Sequence, residues 1–215
     1  MDEAAGEGRM DRRRAKTRAA LLQAGQTLFA QRSVDAVSID DIVAAADVAK
    51  GSFYNHFTDK DGLAREIADQ VRAGVEALVD NVNRQVADPA ERVARSVCAF
   101  ARNAIEHPQQ VRVLTRLFAS AAIPDLPMNR GVRADVHDGL ESGRFAGISL
   151  EAGVLMAVAV VQIAVGRVLE PDAPVSPRAV SRDLAFGLLR GLGLEAGAAR
   201  DLAERASAEI FGPPT

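Results

Sequence analysis

The residues with the clearest chemistry to offer lie in Lys50-Gly51-Ser52-Phe53-Tyr54-Asn55-His56-Phe57. Phe53 and Phe57 are four apart, so on a helix they share one side and mark it as buried. At about 100° per residue, Gly51 and Asn55 then point almost directly away, flanked by Ser52 and Tyr54, and Lys50 projects from the open N-terminal end. Glycine and a short serine let a helix backbone approach a surface closely. The Asn55 amide can both donate to and accept from a base edge, which is chemistry suited to the major groove of duplex DNA.

Such a helix needs a partner to hold it. Ser38 to Ala46 supplies one: Ser38 can cap the free N–H groups, Asp41 three residues later completes a capping-box pattern, and Asp40 and Asp41 suit the positive end of the helix dipole. Ile39, Ile42, Val43 and Ala46 recur at helical spacing. The linker between the two helices is so short that their apolar faces must meet, which is helix-turn-helix geometry. A longer helix, about 11–31, carries Ala15, Leu21, Leu22, Gly25, Leu28 and Phe29 on one face and is expected to cover both.

From about Thr17 to Leu63 the chain resembles the tetracycline-repressor-like (TetR) transcriptional regulators. The residues that carry the resemblance are Leu21, Leu22, Ala24, Leu28, Phe29, Ser38, Ile42, Ala45, Ala46, Val48, Gly51, Phe53, Tyr54, His56, Phe57 and Lys60 to Leu63. Two departures stand out: Asp47 where the family usually has Gly, and Ala49 where it has Ser or Thr. Asp tolerates a left-handed turn. Ala49 cannot cap the helix that follows, a loss of roughly 0.5–2 kcal/mol at that end.

The resemblance implies phosphate contacts at Ser38, Tyr54, His56 and Lys60, and groove contacts at Lys50, Gly51, Ser52 and Asn55. Phosphate contacts set register and base contacts set sequence preference. A helical tyrosine also commonly serves as a half-buried packing residue, but Tyr54 lies off the Phe53/Phe57 face. His56 sits at the edge of that face and reads equally as a packed imidazole or a phosphate contact.

A net charge of −3 over 215 residues gives no global basic footprint. The cations are instead concentrated before the first long helix, at Arg9, Arg12, Arg13, Arg14, Lys16 and Arg18. An arm carrying Arg13, Arg14 and Lys16 can lie along phosphates or enter the minor groove, a sequence-independent and salt-dependent contribution, and it also reads as a solvated tail that orders only on binding. The domain reading is a disordered tail at 1–10, a helix-turn-helix domain at 11–57 and a helical effector-binding and dimerisation domain at 58–215. The whole fold is read as all-α.

In the larger domain, helices are expected at about 58–86, 89–106, 108–122, 128–145, 150–169, 176–192 and 195–211, with Ile123 to Pro127 as a loop. Proteins similar to this one hold a small effector between such helices. Phe100, Phe118, Met128 and Met156 are candidate walls for a mostly apolar ligand, and Asn103, Arg116, His137 and Gln162 candidate polar anchors, although each of these residues also reads as ordinary core or surface. Val158, Val161, Val165 and Val168, with Ala185 and Leu188, are candidates for a two-fold interface between copies.

No Gly-rich phosphate loop, metal-spaced His/Cys set or nucleophile elbow is present, and His56, His107 and His137 are far apart in sequence, so no enzyme, metal or cofactor is expected. Cys98 is the only cysteine and reads as a small buried apolar residue. Met1 to Arg18 lacks an apolar segment, and Ala152 to Ile163 is short for a membrane span and reads as a buried helix, so a cytoplasmic protein is expected. The expected partners are an operator DNA, a second copy of the chain and a small effector. The alternative is a helical ligand-binding or protein-interaction module without operator binding.

Overall fold

The computed structural model describes residues 3–117, 129–170 and 176–212. Its described elements are α-helices and one 3-10 turn: α1 (Glu3–Gln31), the turn (Val34–Ala36), α2 (Ile39–Ala45), α3 (Lys50–Tyr54), α4 (Lys60–Asn83), α5 (Pro89–Glu106), α6 (Pro108–Leu117), α7 (Arg130–Glu141), α8 (Leu150–Val168), α9 (Pro177–Gly191) and α10 (Ala196–Phe211). They form two compact units, Met1–Val71 with Arg112–Leu117 and a second made of Arg72–Val111 with the rest of the chain.

The first unit is organised by one apolar cluster. Leu21, Phe29, Val37, Ile42, Phe53, Leu63, Ile67 and Val113 are buried in it together with Phe57. Two local devices set the short helices. At the start of α2, the Ser38 hydroxyl accepts from the Asp41 N–H at 3.1 Å while the Asp41 carboxylate accepts from the Ser38 N–H at 2.9 Å, the reciprocal capping box expected from the sequence. These bonds from Ser38 hold the Asp41 carboxyl below the usual aspartate range.

At the end of α2 the Val48 N–H reaches back to Val43 O at 3.1 Å and the Asp47 N–H to Ala44 O at 3.3 Å. This is the paired closure of a Schellman turn, with Asp47 in the left-handed position at φ 53°. Asp47 is the one non-glycine residue at positive φ among the described residues. Ala49 then stands at the N-cap of α3 without a side-chain cap bond, as expected.

In the second unit, α5 runs against α7, α8, α9 and α10 and buries Val93, Ala94, Val97, Cys98 and Ala101. Asp88 caps α5 by accepting from the Ala90 N–H at 2.9 Å, and both its oxygens take the Arg144 guanidinium, at 3.1 and 2.8 Å. One turn on, Arg92 ties α5 to α7 by donating to Asp135 at 2.6 Å and to Asp138 at 2.7 Å. Burial pushes the Asp135 carboxyl up, against the opposing pull of Arg92. Burial likewise pushes the Cys98 thiol up to about 12, so it is an inert core group.

Several boundaries differ from the sequence reading. Helix α1 begins at Glu3, inside the stretch read as a disordered tail. Helix α4 stops at Asn83 rather than near Val86, and one of its last carbonyls, Val82 O, accepts from Arg95 of α5 at 2.9 Å. Helix α7 stops at Glu141, since Gly143 turns left-handed and the Phe145 N–H returns to Gly139 O at 2.8 Å, burying the ring. The expected loop Ile123 to Pro127 lies outside the described residues.

The apolar helix α8 also departs from expectation. This 19-residue helix is long and apolar enough to cross a membrane by length and composition, with an 18-residue stretch at a mean hydropathy of 1.7, yet only 28% of that stretch is buried within the chain. It is therefore not the wholly buried helix read from Ala152 to Ile163. Replacing Asp47 with Gly should relieve the left-handed strain and raise the stability of the first unit by about 1 kcal/mol, read as a higher denaturant midpoint.

Candidate nucleic-acid interface

Helix α3 has five residues, too few to persist alone in water, and is held by what it buries. Phe53 is fully buried, Phe57 nearly so, and their ring centroids lie 5.7 Å apart. With that side fixed, the opposite flank is open: Lys50, Gly51, Tyr54 and Asn55 are exposed and Ser52 is half-buried. A Cβ built on Gly51 would meet nothing within 4 Å on this chain, so the missing side chain serves no internal packing. Tyr54 is 54% exposed and stands edge-on to Phe53, with ring centroids 5.5 Å apart.

Around this flank the structure gathers further donors. Ser38 is exposed at the N-terminus of α2, its hydroxyl engaged in the capping box. Lys60 opens α4 with its ammonium 3.4 Å from Asp35 O. Arg13, Arg14 and Lys16 are exposed on α1. An open groove is lined by Asp11, Arg14, Ala15 and Arg18 of α1 with Asn55 and His56. Arg18 reaches Glu66 and stands 5.6 Å over the Phe57 ring, a role that its place in the basic cluster did not reveal.

His56 is half-buried beside this groove. Desolvation, with the positive charges of Arg14 and Arg18, holds its pKa below the ordinary 6.5. It is therefore neutral near pH 7, and an anion arriving in the groove would favour its protonation. Sequence reasoning also missed the acidic partner of Lys50, whose ammonium is 2.8 Å from the Asp40 carboxylate. Ten residues and a turn separate the two, and no periodicity links them.

The candidates in the second unit are more scattered. Phe100 is half-buried against Ala104, Val111 and Val165, and the Met156 thioether lies over Gly191. Asn103 is half-buried, its carbonyl accepting from the His107 N–H at 2.8 Å. His137 and Gln162 are solvent-exposed on α7 and α8, with His137 beside Glu141 at 3.6 Å, so neither is an internal polar anchor. The Arg116 side chain, Phe118 and Met128 lie outside the described residues.

The interface reading needs a similar correction. Val165 is buried in a small cluster with Ala104 and Val111, and Ala185 and Leu188 are buried in the main apolar core of the second unit, so these three present no free surface. Val158, Val161 and Val168 are half-buried, while Ala159, Ile163 and Gly166 lie outward, Ile163 at 58% exposure. No group of three or more His, Cys, Asp or Glu able to hold a metal occurs among the described residues.

A short helix fixed by two phenylalanines, behind a Schellman turn and with its far flank open, defines a helix-turn-helix protein. The chain belongs to the TetR family: residues 21–67 match the model of bacterial regulatory proteins of the tetR family, and residues 88–205 match that of the tetracyclin repressor-like C-terminal domain. It is 29% identical over 79 residues to the HTH-type transcriptional repressor DhaR of Mycobacterium sp. strain GP1, a match spanning 37% of this chain and 40% of that repressor.

Among solved structures, RolR in complex with resorcinol is 28% identical, covers 91% of this chain and 96% of its own, and has a TM-score of 0.54. A tetR-family regulatory protein from Rhodococcus RHA1 shares the fold at a TM-score of 0.68 and 18% identity, covering 83% of this chain and 98% of its own. An NMR titration should place the His56 midpoint below 6.5, and Arg14→Ala should raise it by removing one of the nearby positive charges; an unmoved midpoint would show that Arg14 does not act on the imidazole.

Proposed function

We propose that this protein is a transcriptional regulator that binds a near-palindromic operator as a homodimer, acting as a repressor released by a small, mostly apolar effector. The observation that carries the reading is the open flank of α3, with Gly51 and Asn55 outward and Phe53 and Phe57 buried beneath them. In this reading Lys50, Gly51, Ser52 and Asn55 enter the major groove. Ser38, Tyr54, His56 and Lys60 meet phosphates, with Arg13, Arg14 and Lys16 adding contacts from α1.

Two copies are needed to place two such helices about 34–36 Å apart in successive major grooves. The outward face of α8 supports a two-fold contact, since Ala159, Ile163 and Gly166 combine apolar surface with close approach and most of that helix is unburied. The partly exposed Val158, Val161 and Val168 belong at its margin. Such a regulator works in the cytoplasm.

Effector binding in the second unit would tilt α4 and change the separation of the two readers, at a coupling of about 1–3 kcal/mol. The likeness to RolR, whose structure holds resorcinol, supports an effector of small aromatic size. Phe100 and Met156, together with Asn103, Arg116, Phe118 and Met128, remain the proposed contacts.

Selecting bound sequences from random duplex DNA tests the operator, and repeating the binding with a panel of small aromatics tests the effector. Lys60→Ala should weaken binding to all sequences and lower the salt slope by about 1, whereas Asn55→Ala should relax preference at one or two base pairs. Equal weakening of every operator variant by Asn55→Ala would remove Asn55 from the base readers. Ile163→Asp should convert the dimer seen by sedimentation into a monomer, and a wild-type monomer at micromolar concentration would end the dimer reading.

A further inference from the structure

The pairing of Lys50 with Asp40 lies outside the capping of α2. The start of α2 is already capped by Ser38 and Asp41, and Asp40 takes no part in that box. Lys50 is the first residue of α3, and its ammonium lies 2.8 Å from one Asp40 oxygen. That carboxylate raises the Lys50 pKa, so the lysine stays charged. The side chains are 55% and 70% exposed, and a pair so solvated opens easily in the free protein.

Against DNA the pair behaves differently. A carboxylate brought beside a duplex meets a dense field of phosphates and is disfavoured unless a cation stays with it. An ammonium has three donors, so Lys50 can keep Asp40 while giving another N–H to a base-edge acceptor such as guanine O6 or N7. Where the sequence offers that acceptor, the pair persists and Lys50, otherwise a flexible point charge, is held in one direction. Where the sequence puts no base-edge acceptor within its reach, Lys50 has only phosphates to meet, and the negative charge of Asp40 beside it offsets what that contact gains.

We propose that Asp40 is a specificity-determining residue, which by pairing with Lys50 penalises duplexes that place no base-edge acceptor within reach of Lys50 and spares those that do. The proposal rests on the reading of α3 as the groove-entering helix. Asp40 acts through Lys50 and touches no base itself, so it is a positioning residue.

The test uses the full chain, the duplex it selects from random DNA and a scrambled duplex of equal length, with affinities measured by anisotropy between 50 and 200 mM salt. Asp40→Asn should tighten the scrambled duplex by about 5- to 10-fold and steepen its salt slope by about 0.9, as one more phosphate is neutralised. The selected duplex should change by less than about 2-fold. Asp40→Glu should restore the wild-type ratio of the two affinities, and Asp40→Ser should repeat the effect of Asn with a second fold-compatible side chain. In a Lys50→Ala background, Asp40→Asn should shift both duplexes by one common factor. Equal tightening of both duplexes in the presence of Lys50, or no change in either, would overturn the proposal. A wild-type chain with no salt-sensitive binding to any duplex would overturn the α3 reading itself, and the proposal with it.

Discussion

The burial of Phe53 is the contact on which the first unit turns. A five-residue helix cannot pay its own nucleation cost, so α3 exists because its phenylalanine fills the space left by Leu21, Phe29, Ile42, Leu63 and Ile67. Removing such a ring from a full core costs about 3–5 kcal/mol, a large part of a domain's stability. The outward flank is a by-product of this inward anchor. Gly51 and Asn55 face away because Phe53 and Phe57 face in, and the Schellman turn at Asp47 sets the angle at which they do so.

Arginine serves this chain in two ways. On α1, Arg13 and Arg14 are exposed and turned to solvent. In the second unit arginines are structural: Arg92 closes the α4–α5 turn on Asp135, Asp138 and the Ala87 carbonyl, and Arg95 takes the Val82 carbonyl. Arg178 donates to Gly212 O at 2.9 Å at the end of α10, and Arg102 reaches Ile210 O there. Helix ends leave carbonyls unpaired, and a guanidinium with five donors can serve several at once. A modest net charge of −3 therefore hides two populations of cations, one bound within the fold and one outward on α1.

What the sequence made legible was local. The capping box at Ser38 and Asp41, the left-handed Asp47, the uncapped Ala49 and the Phe53/Phe57 face all follow from spacings of a few residues, and the structure has each of them. The family follows from the same stretch. What stayed hidden depends on side chains brought together from distant elements. Nothing in the valine spacing of α8 says which stripe turns inward, so Val165 read as outward and is buried. The hold of Asp40 on Lys50, and of Arg18 on Glu66, crosses elements in the same way. The exposed positions of His137 and Gln162 follow from the rotation of α7 and α8, which a polar residue in an apolar run does not reveal.

One close approach has a mechanical consequence. At Gly25 α1 runs close to α4: a Cβ there would lie 2.8 Å from the Ile67 methyl and 3.0 Å from a Leu63 methyl, so a side chain enters only if those methyls shift. Backbone and methyl groups meet without slack, and close-packed interfaces of this kind resist sliding rather than yielding by degrees. The opening turns of α4 thus share one packed cluster with α1 and Phe53, so a twist applied to that helix is transmitted to both through side-chain contact.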